Sequence, residues 1–350
     1  MGRYLRSLLR RFAGSDRHQF VIYSTSRVDL PTDSKCIDVR VLPTGPPLLF
    51  EQWTLPRALR GDRIDVLLSP AYSCPLFAVV PRVTAIHDLS FFARPLEFGL
   101  AHGVRRRVMA RWSARVSRKI LVCSEFTKSE VGRHLGLAAV EKTQVILLGA
   151  DDDLPKGPSR EASRSALGLT SDSAYIITVG TVLRRRNVSM LVRAFARLRE
   201  HAPNARLGII GDNRSRPFED LGALSRSLGC EREVQMSGFV SDDQIAQHYA
   251  AADVAVFLSE YEGFGLPALE ALSRGIPTVI ADRGSLNEMF APGALVIEPN
   301  EAAVAAALLR VLRDPELGAD LRRRGWERAK VFSWERAARE TLGVLQGAAS

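Results

Sequence analysis

The feature that most constrains this chain is a repeated alternation of short runs rich in Val, Ile and Leu with longer segments of helical period. The runs do not alternate apolar and polar residues, as strands with one wet face do. Strands of this kind are buried on both faces, as in a parallel sheet covered by helices. In the first half, strands are expected over residues 19–24 (QFVIYS), 38–42 (DVRVL), 65–69 (DVLLS), 83–87 (VTAIH), 119–124 (KILVCS) and 144–148 (QVILL). In the second half they are expected over 174–180, 206–211, 234–238, 253–259, 277–282 and 294–299. Leu191, Phe195 and Leu198 repeat at helical spacing among arginines, which predicts a half-buried helix. Gly211 and Gly238 close strands where a turn into a helix needs a permissive backbone. Ser241, followed by Asp242, Asp243 and Gln244, reads as a capped helix start with acid in its first turn.

A chain of 350 residues suits two domains, each with its own core. The polar segment 151–173, with its prolines and glycines, divides them. The expected plan is a first α/β domain over 1–153, a linker with a short helix over 154–173 and a second α/β domain over 174–330. A late helix over 331–350 is expected near the cleft between the domains. Ligands of open parallel sheets bind at the carboxyl ends of strands, so two facing sheets would present opposite walls to one cleft. No apolar run approaches the roughly 20 residues of a spanning helix, and no signal-peptide run follows the basic start. Cys36, Cys74, Cys123 and Cys230 are scattered without metal-ligand spacing, as small core residues of a reducing compartment are. A cytoplasmic location is expected.

The opening residues form an amphipathic pattern, with Leu5, Leu8, Leu9 and Phe12 against Arg3, Arg6, Arg10 and Arg11. An ordinary half-buried helix is the preferred reading and a membrane-surface helix the alternative. A doubly wound domain begins with a central strand and a Gly-rich turn before such a helix. Here neither precedes it, so that strand is expected to be lost or to lie upstream. The net charge of +9 is uneven: residues 1–150 hold 23 Lys and Arg against 12 Asp and Glu, and the remainder holds 25 against 27. The basic half suggests an anionic partner, unless it is simply an arginine-rich surface. It lacks aromatic interleaving and any nucleic-acid motif, so nucleic acid is not expected. An anionic membrane surface, met peripherally, and a phosphate-bearing acceptor remain.

The densest chemistry lies between Ser259 and Glu288. Gly263 and Gly265 bracket Phe264, so backbone N–H groups can approach a ligand closely. Leu266 to Arg274 reads as a helix with Pro267 in its first turn, and its N-terminal end favours an anion. Glu262 stands before the loop and Glu270 in the helix, so the two carboxylates can serve different parts of one ligand.

These residues, E-G-F-G-L-P-A-L-E-A with the turn Gly275–Pro277 behind them, resemble the E-x7-E motif of the retaining glycosyltransferases of GT-B fold. VGTVLRRRN, Val179 to Asn187, resembles the V-G-x-x-x-x-R-K-N segment of the same family, with Arg186 standing where Lys is usual. AIHDLSFFARP, Ala85 to Pro95, is similar to the H-D-L-S-F segment of bacterial members that use mannose or related sugars on envelope polysaccharides. VCSEFTKSEV, Val122 to Val131, and GFVSDDQIAQHYAAADV, Gly238 to Val254, resemble further segments of the family. The likeness covers nearly all of the chain.

The resemblance implies a GT-B enzyme of two Rossmann-like, doubly wound parallel-sheet domains facing a cleft. Its substrate is a nucleotide sugar, GDP- or UDP-linked, with GDP-mannose favoured by the H-D-L-S-F likeness alone. Its acceptor is a glycan or lipid-linked sugar. Arg185 and Arg186 hold the donor diphosphate, offsetting leaving-group charge. Glu262 and the backbone of Gly263, Phe264, Gly265 and Leu266 fix the sugar, Glu270 the ribose, and the main chain of Val240 the base. His87 hydrogen-bonds a sugar hydroxyl, while Asp88 holds the loop or orients the histidine. Transfer is expected to retain configuration by front-face displacement, with Glu262 orienting rather than attacking. Asp151, Asp152 and Asp153 are read as a turn, not a metal site, so neither metal nor cofactor is expected. A non-catalytic sugar-nucleotide binder or scaffold is the rival reading if the truncated start is real.

Overall fold

The structure is a computed structural model that describes residues 2–28, 34–43, 45–150, 155 and 157–350. Each expected run forms a strand: β1 (Phe20–Ser24), β2 (Ile37–Val41), β3 (Leu67–Ser69), β4 (Arg82–Ile86), β5 (Lys119–Val122), β6 (Thr143–Val145), β7 (Tyr175–Val179), β8 (Arg206–Ile210), β9 (Val234–Ser237), β10 (Val254–Phe257), β11 (Thr278–Ala281) and β12 (Leu295–Ile297). All pair in parallel, within three sheets. Every residue of β10 and of β11 is buried, which is why these runs show no polar alternation. The four cysteines are buried thiols that form no disulfide. Among the described residues no helix is long and apolar enough to cross a membrane.

The chain divides into two compact units. The first holds the chain to Pro95, Gly99–Gly149 and Phe332–Ser350. It has a two-stranded sheet, β1-β2, and a four-stranded sheet, β3-β4-β5-β6. The opening helix, Gly2–Phe12, buries Tyr4, Leu8, Leu9 and Phe12 and is the ordinary half-buried helix of the preferred reading. Leu9 packs with Cys36 and Ile37, and Phe12 stacks on Phe20 at 4.8 Å. The closing helix, Trp334–Ala349, packs in this unit against the opening helix and β4. Arg11 bonds Glu335 at 3.1 Å, and Trp334 is so close to Gly149 that a Cβ there would strike it. These contacts, which link the two ends of the sequence, make the late helix part of the first unit rather than an appendage to the second.

The second unit holds Leu96–Phe98 and Ala150–Val331. Its six strands run β12-β11-β10-β7-β8-β9, so the first strand lies beside the fourth. Leu191, Phe195 and Leu198 of helix Val188–Arg199 are buried in a core with Ile176, Leu207 and Val256. Fully burying such a side chain contributes about 1.5–3 kcal/mol. The expected linker is part of this unit. Its helix, Arg160–Ala166, is held by Arg160 and Arg164 to Asp253 at 2.5 and 3.2 Å, and Arg164 also donates to the Thr170 carbonyl at 2.8 Å. Those ion pairs reach far along the chain, so local composition gave no hint of them. Asp151, Asp152 and Asp153 lie outside the described residues.

Candidate active site

The strand order of the second sheet reverses between β7 and β10, and crevices for ligands open at such points. The loops that leave these two strands are tied together. Asn187 Nδ2 donates to the Leu258 carbonyl at 3.0 Å, and the Glu260 N–H donates to the Arg185 carbonyl at 2.8 Å. Asn187 holds φ at +53°, a left-handed position that asparagine tolerates, and from it the helix Val188–Arg199 begins. Between the loops lies a small pocket whose lining includes Gly180, Arg186, Ser259, Glu262, Gly265 and Pro267.

Two of the expected polar residues meet in this cavity. Arg186 Nη2 donates to Glu262 Oε1 at 2.8 Å, and Arg186 Nη1 donates to the Thr181 carbonyl at 3.0 Å. Gly180 makes room for this guanidinium: at φ +121° a side chain is strained, and a Cβ would collide with Arg186 Nη1. The Ser285 hydroxyl donates to the Glu262 carbonyl and steadies the loop from below.

The Gly-Phe-Gly loop divides its work between side chain and backbone. The Phe264 ring is buried edge-on against Phe290, with centroids 5.8 Å apart. Gly263 is buried, and Gly265 has φ +100°, where a Cβ would lie 2.7 Å from Leu286 Cδ2. Phe264 therefore anchors the loop while glycine lets its backbone border the cavity. Leu266 opens the helix Leu266–Ser273 with Pro267 in its first turn, so the N-terminal end of the helix is also at the cavity.

Other expected residues are placed apart from this pair. Glu270 is 2% exposed and does not line the cavity; its Oε2 accepts from the Tyr249 hydroxyl at 2.9 Å. Arg185 does not line it either. Its guanidinium pairs with Glu97 at 2.7 Å, with both side chains about a tenth exposed, and its Nε is buried without a hydrogen-bond partner. Val240 is half-buried in the loop after β9, just before the capping box of Ser241 and Gln244. The neighbouring Phe239 N–H donates to Asp212 Oδ1 at 2.9 Å.

His87 belongs to the first unit and follows β4. Its Nε2 lies 3.1 Å from the Pro70 carbonyl. A carbonyl only accepts, so Nε2 carries the proton and Nδ1 a lone pair. Burial lowers the His87 pKa to about 4, and the ring is neutral at neutral pH. Tyr4 packs edge-on against it at 4.6 Å. Asp88 accepts from the Ser90 N–H and hydroxyl at 2.9 and 2.6 Å, which holds the loop. Ser124 caps the helix Glu125–Leu135 through the Thr127 N–H at 3.0 Å.

Sequence reasoning gave no role to Asn187, Tyr249 or Ser285, which tie loop to loop, hold Glu270 and brace Glu262. Only Asn187 had a signal, as the end of an arginine turn where a left-handed residue suits asparagine. Among the described residues no cluster of three or more His, Cys, Asp or Glu could hold a metal ion.

Comparison with known proteins gives the chain its relatives. Residues 159–328 match the family described as glycosyl transferases group 1, and residues 1–154 match glycosyltransferase family 4. O-antigen chain mannosyltransferase B of Escherichia coli is 31% identical over 308 residues, covering 86% of this chain and 80% of that protein. The sucrose-phosphate synthase of Thermosynechococcus elongatus superposes with a TM-score of 0.79 at 21% identity, over 99% of this chain and 93% of its own. Alr3699/HepE of Anabaena, solved in complex with UDP and glucose, superposes with a TM-score of 0.76 at 20% identity, over 98% of this chain and 95% of its own. At these identities the solved structures speak for the fold.

Proposed function

We propose that this chain, which belongs to the group 1 and family 4 glycosyltransferases and has the GT-B fold, moves a hexose from a nucleoside diphosphate to a glycan or lipid-linked acceptor with retention of configuration. One observation carries the reading. Arg186 and Glu262 share a cavity at the switch point of the second sheet, beside a loop that only glycine can form. A diphosphate seated there takes over Arg186, since it offers more charge than one carboxylate. Glu262 is thereby released to accept hydrogen bonds from sugar hydroxyls. Backbone of the 263–266 loop lies against the ring, with the helix N-terminus favouring the phosphates.

The remaining roles are those that the family resemblance implies. The ribose role of Glu270 rests on the E-x7-E likeness, since its carboxylate is buried against Tyr249 and does not line the cavity; the main chain of Val240 is assigned to the base on the same likeness. Arg185 joins the diphosphate only by leaving Glu97, as Arg186 leaves Glu262. His87 accepts a sugar hydroxyl through Nδ1. In the transfer step the bond from C1 to the phosphate oxygen breaks and its electron pair leaves with the diphosphate. The acceptor oxygen bonds C1 from the same face and gives its proton to the departing phosphate. Fixed cations near that oxygen stabilise the charge it develops, without a metal ion.

The donor proposed is GDP-mannose. It rests on the H-D-L-S-F likeness and on the name of the E. coli relative; HepE was solved with UDP. A thermal-shift screen of GDP-, UDP- and ADP-sugars decides among them. A donor at a hundred times its Kd adds about 2.7 kcal/mol of stability. GDP-mannose should give the largest shift and support transfer that Glu262→Gln removes. A larger shift with a UDP-sugar would reassign the donor, and full transfer by Glu262→Gln would overturn the assignment.

A further inference from the structure

The helix Leu100–Val116 of the first unit is built inside out. The face it packs inward is made of small residues, Gly103, Ala110, Ser113 and Ala114, all buried. Its large apolar residues point outward: Leu100 is 82%, Val104 45%, Val108 44% and Trp112 48% exposed. Their spacing of four keeps them on one face of the helix. Arg105, Arg111 and Arg115 are exposed on that same face, and the Arg115 guanidinium lies over the Trp112 ring at 5.1 Å. A helix that merely needed a wet face would carry its large apolar residues inward.

The stripe has a neighbour. A cleft of about 140 Å³, lined by Leu48, Glu51, Tyr72, Arg105, Arg106 and Met109, joins the helix to the segment Pro47–Leu49 and the π turn Phe50–Thr54. That segment exposes Leu48, Leu49 and Trp53. Contiguous apolar exposure rimmed by arginine, in the half of the chain that holds the basic excess, has one favoured occupant.

We propose that the first unit docks on an anionic lipid bilayer through this face. Leu100, Val104, Val108 and Trp112 enter the boundary between headgroups and acyl chains, where tryptophan is favoured. The arginines reach lipid phosphates, and those at the cleft meet headgroups between the two apolar segments. A second copy of the chain fits less well, because a two-fold contact would set the same arginines against each other. The proposal does not depend on the donor assignment: lipid binding is read without donor or acceptor.

The test is co-flotation of the full chain with vesicles of phosphatidylcholine alone and of phosphatidylcholine mixed with phosphatidylglycerol, at low and high salt. Binding is expected with phosphatidylglycerol, falling with salt. Arg105→Gln with Arg115→Gln should weaken it roughly thirtyfold, at about fivefold per charge. Val108→Ser with Trp112→Ser should weaken it about tenfold or more, by loss of inserted apolar surface. The arginine pair should keep the wild-type thermal midpoint, and the apolar pair, whose side chains are about half-exposed, should lower it yet leave a cooperative transition above the assay temperature. No flotation at low salt would overturn the proposal, as would unchanged binding by both pairs. A dimer, seen by light scattering and broken by the same substitutions, that leaves the vesicles unbound would also overturn it.

Discussion

The Arg186–Glu262 pair exists because Gly180 leaves space for it. Gly180 and Gly168 both have positive φ, but only at Gly180 would a Cβ collide with another group, Arg186 Nη1. Gly168→Ala should therefore cost only the left-handed backbone term, about 1–2 kcal/mol. Gly180→Ala should cost more in urea denaturation and should also displace Arg186, so nucleoside diphosphate affinity falls with it. Equal losses of stability and unchanged affinity would contradict this reading. His87 makes a second prediction at this scale. Its folded pKa of about 4 lies below the ordinary 6.5. Above about pH 6.5 both folded and unfolded forms are neutral, and the contribution to stability is complete. Below it the unfolded state takes up the proton first, so stability is lost as pH falls towards 4. The slope should be about 1.4 kcal/mol per pH unit from this residue. His248, buried beside the Tyr175 hydroxyl and shifted the same way by burial, adds to it. Denaturation curves of His87→Gln across that window should be shallower in pH than wild type by the His87 share.

At the scale of elements, the Ser241–Gln244 capping box sets the start of helix Asp242–Ala251 and so the position of Val240. Ser241→Ala should cost about 1 kcal/mol in denaturation. The central strands β10 and β11 were legible because burial on both faces demands dense Val, Ile and Leu, whereas β2 and β9 keep exposed residues and were legible from their β-branched residues alone. The capped start was legible because Ser241 and Gln244 sit at the spacing the geometry requires. Direction was not legible. Arg184, Arg185 and Arg186 occupy one 3₁₀ turn, in which successive residues point to different sides. Nothing in three identical letters tells that Arg186 enters the cavity and Arg185 turns to Glu97. The spacing of Glu262 and Glu270 likewise hides that one lines the cavity and the other is buried against Tyr249. The inverted helix Leu100–Val116 was missed because apolar spacing is the same whichever face is buried.

At the scale of the molecule, the boundaries drawn from composition differ from the units because long-range contacts decide them. Asp253 draws the segment after Ser159 into the second unit, Glu97 draws residues 96–98 there, and the closing helix returns to the first. Within the second unit, the reversal of strand order puts the loops after β7 and β10 side by side, and the proposed donor site depends on that adjacency. The measurement that tests the account most directly is calorimetric titration of GDP, and of UDP, into Arg186→Gln and Glu262→Gln. Loss of Arg186 removes a charge-assisted bond of about 1.5–3 kcal/mol and should weaken the nucleoside diphosphate at least about tenfold. Loss of the Glu262 charge removes the carboxylate that competes for Arg186, so affinity should hold or rise while sugar transfer is lost. The two substitutions thus separate: Arg186→Gln weakens binding and Glu262→Gln does not. Equal weakening by both, or none by Arg186→Gln, would contradict the exchange of partners on which the account rests.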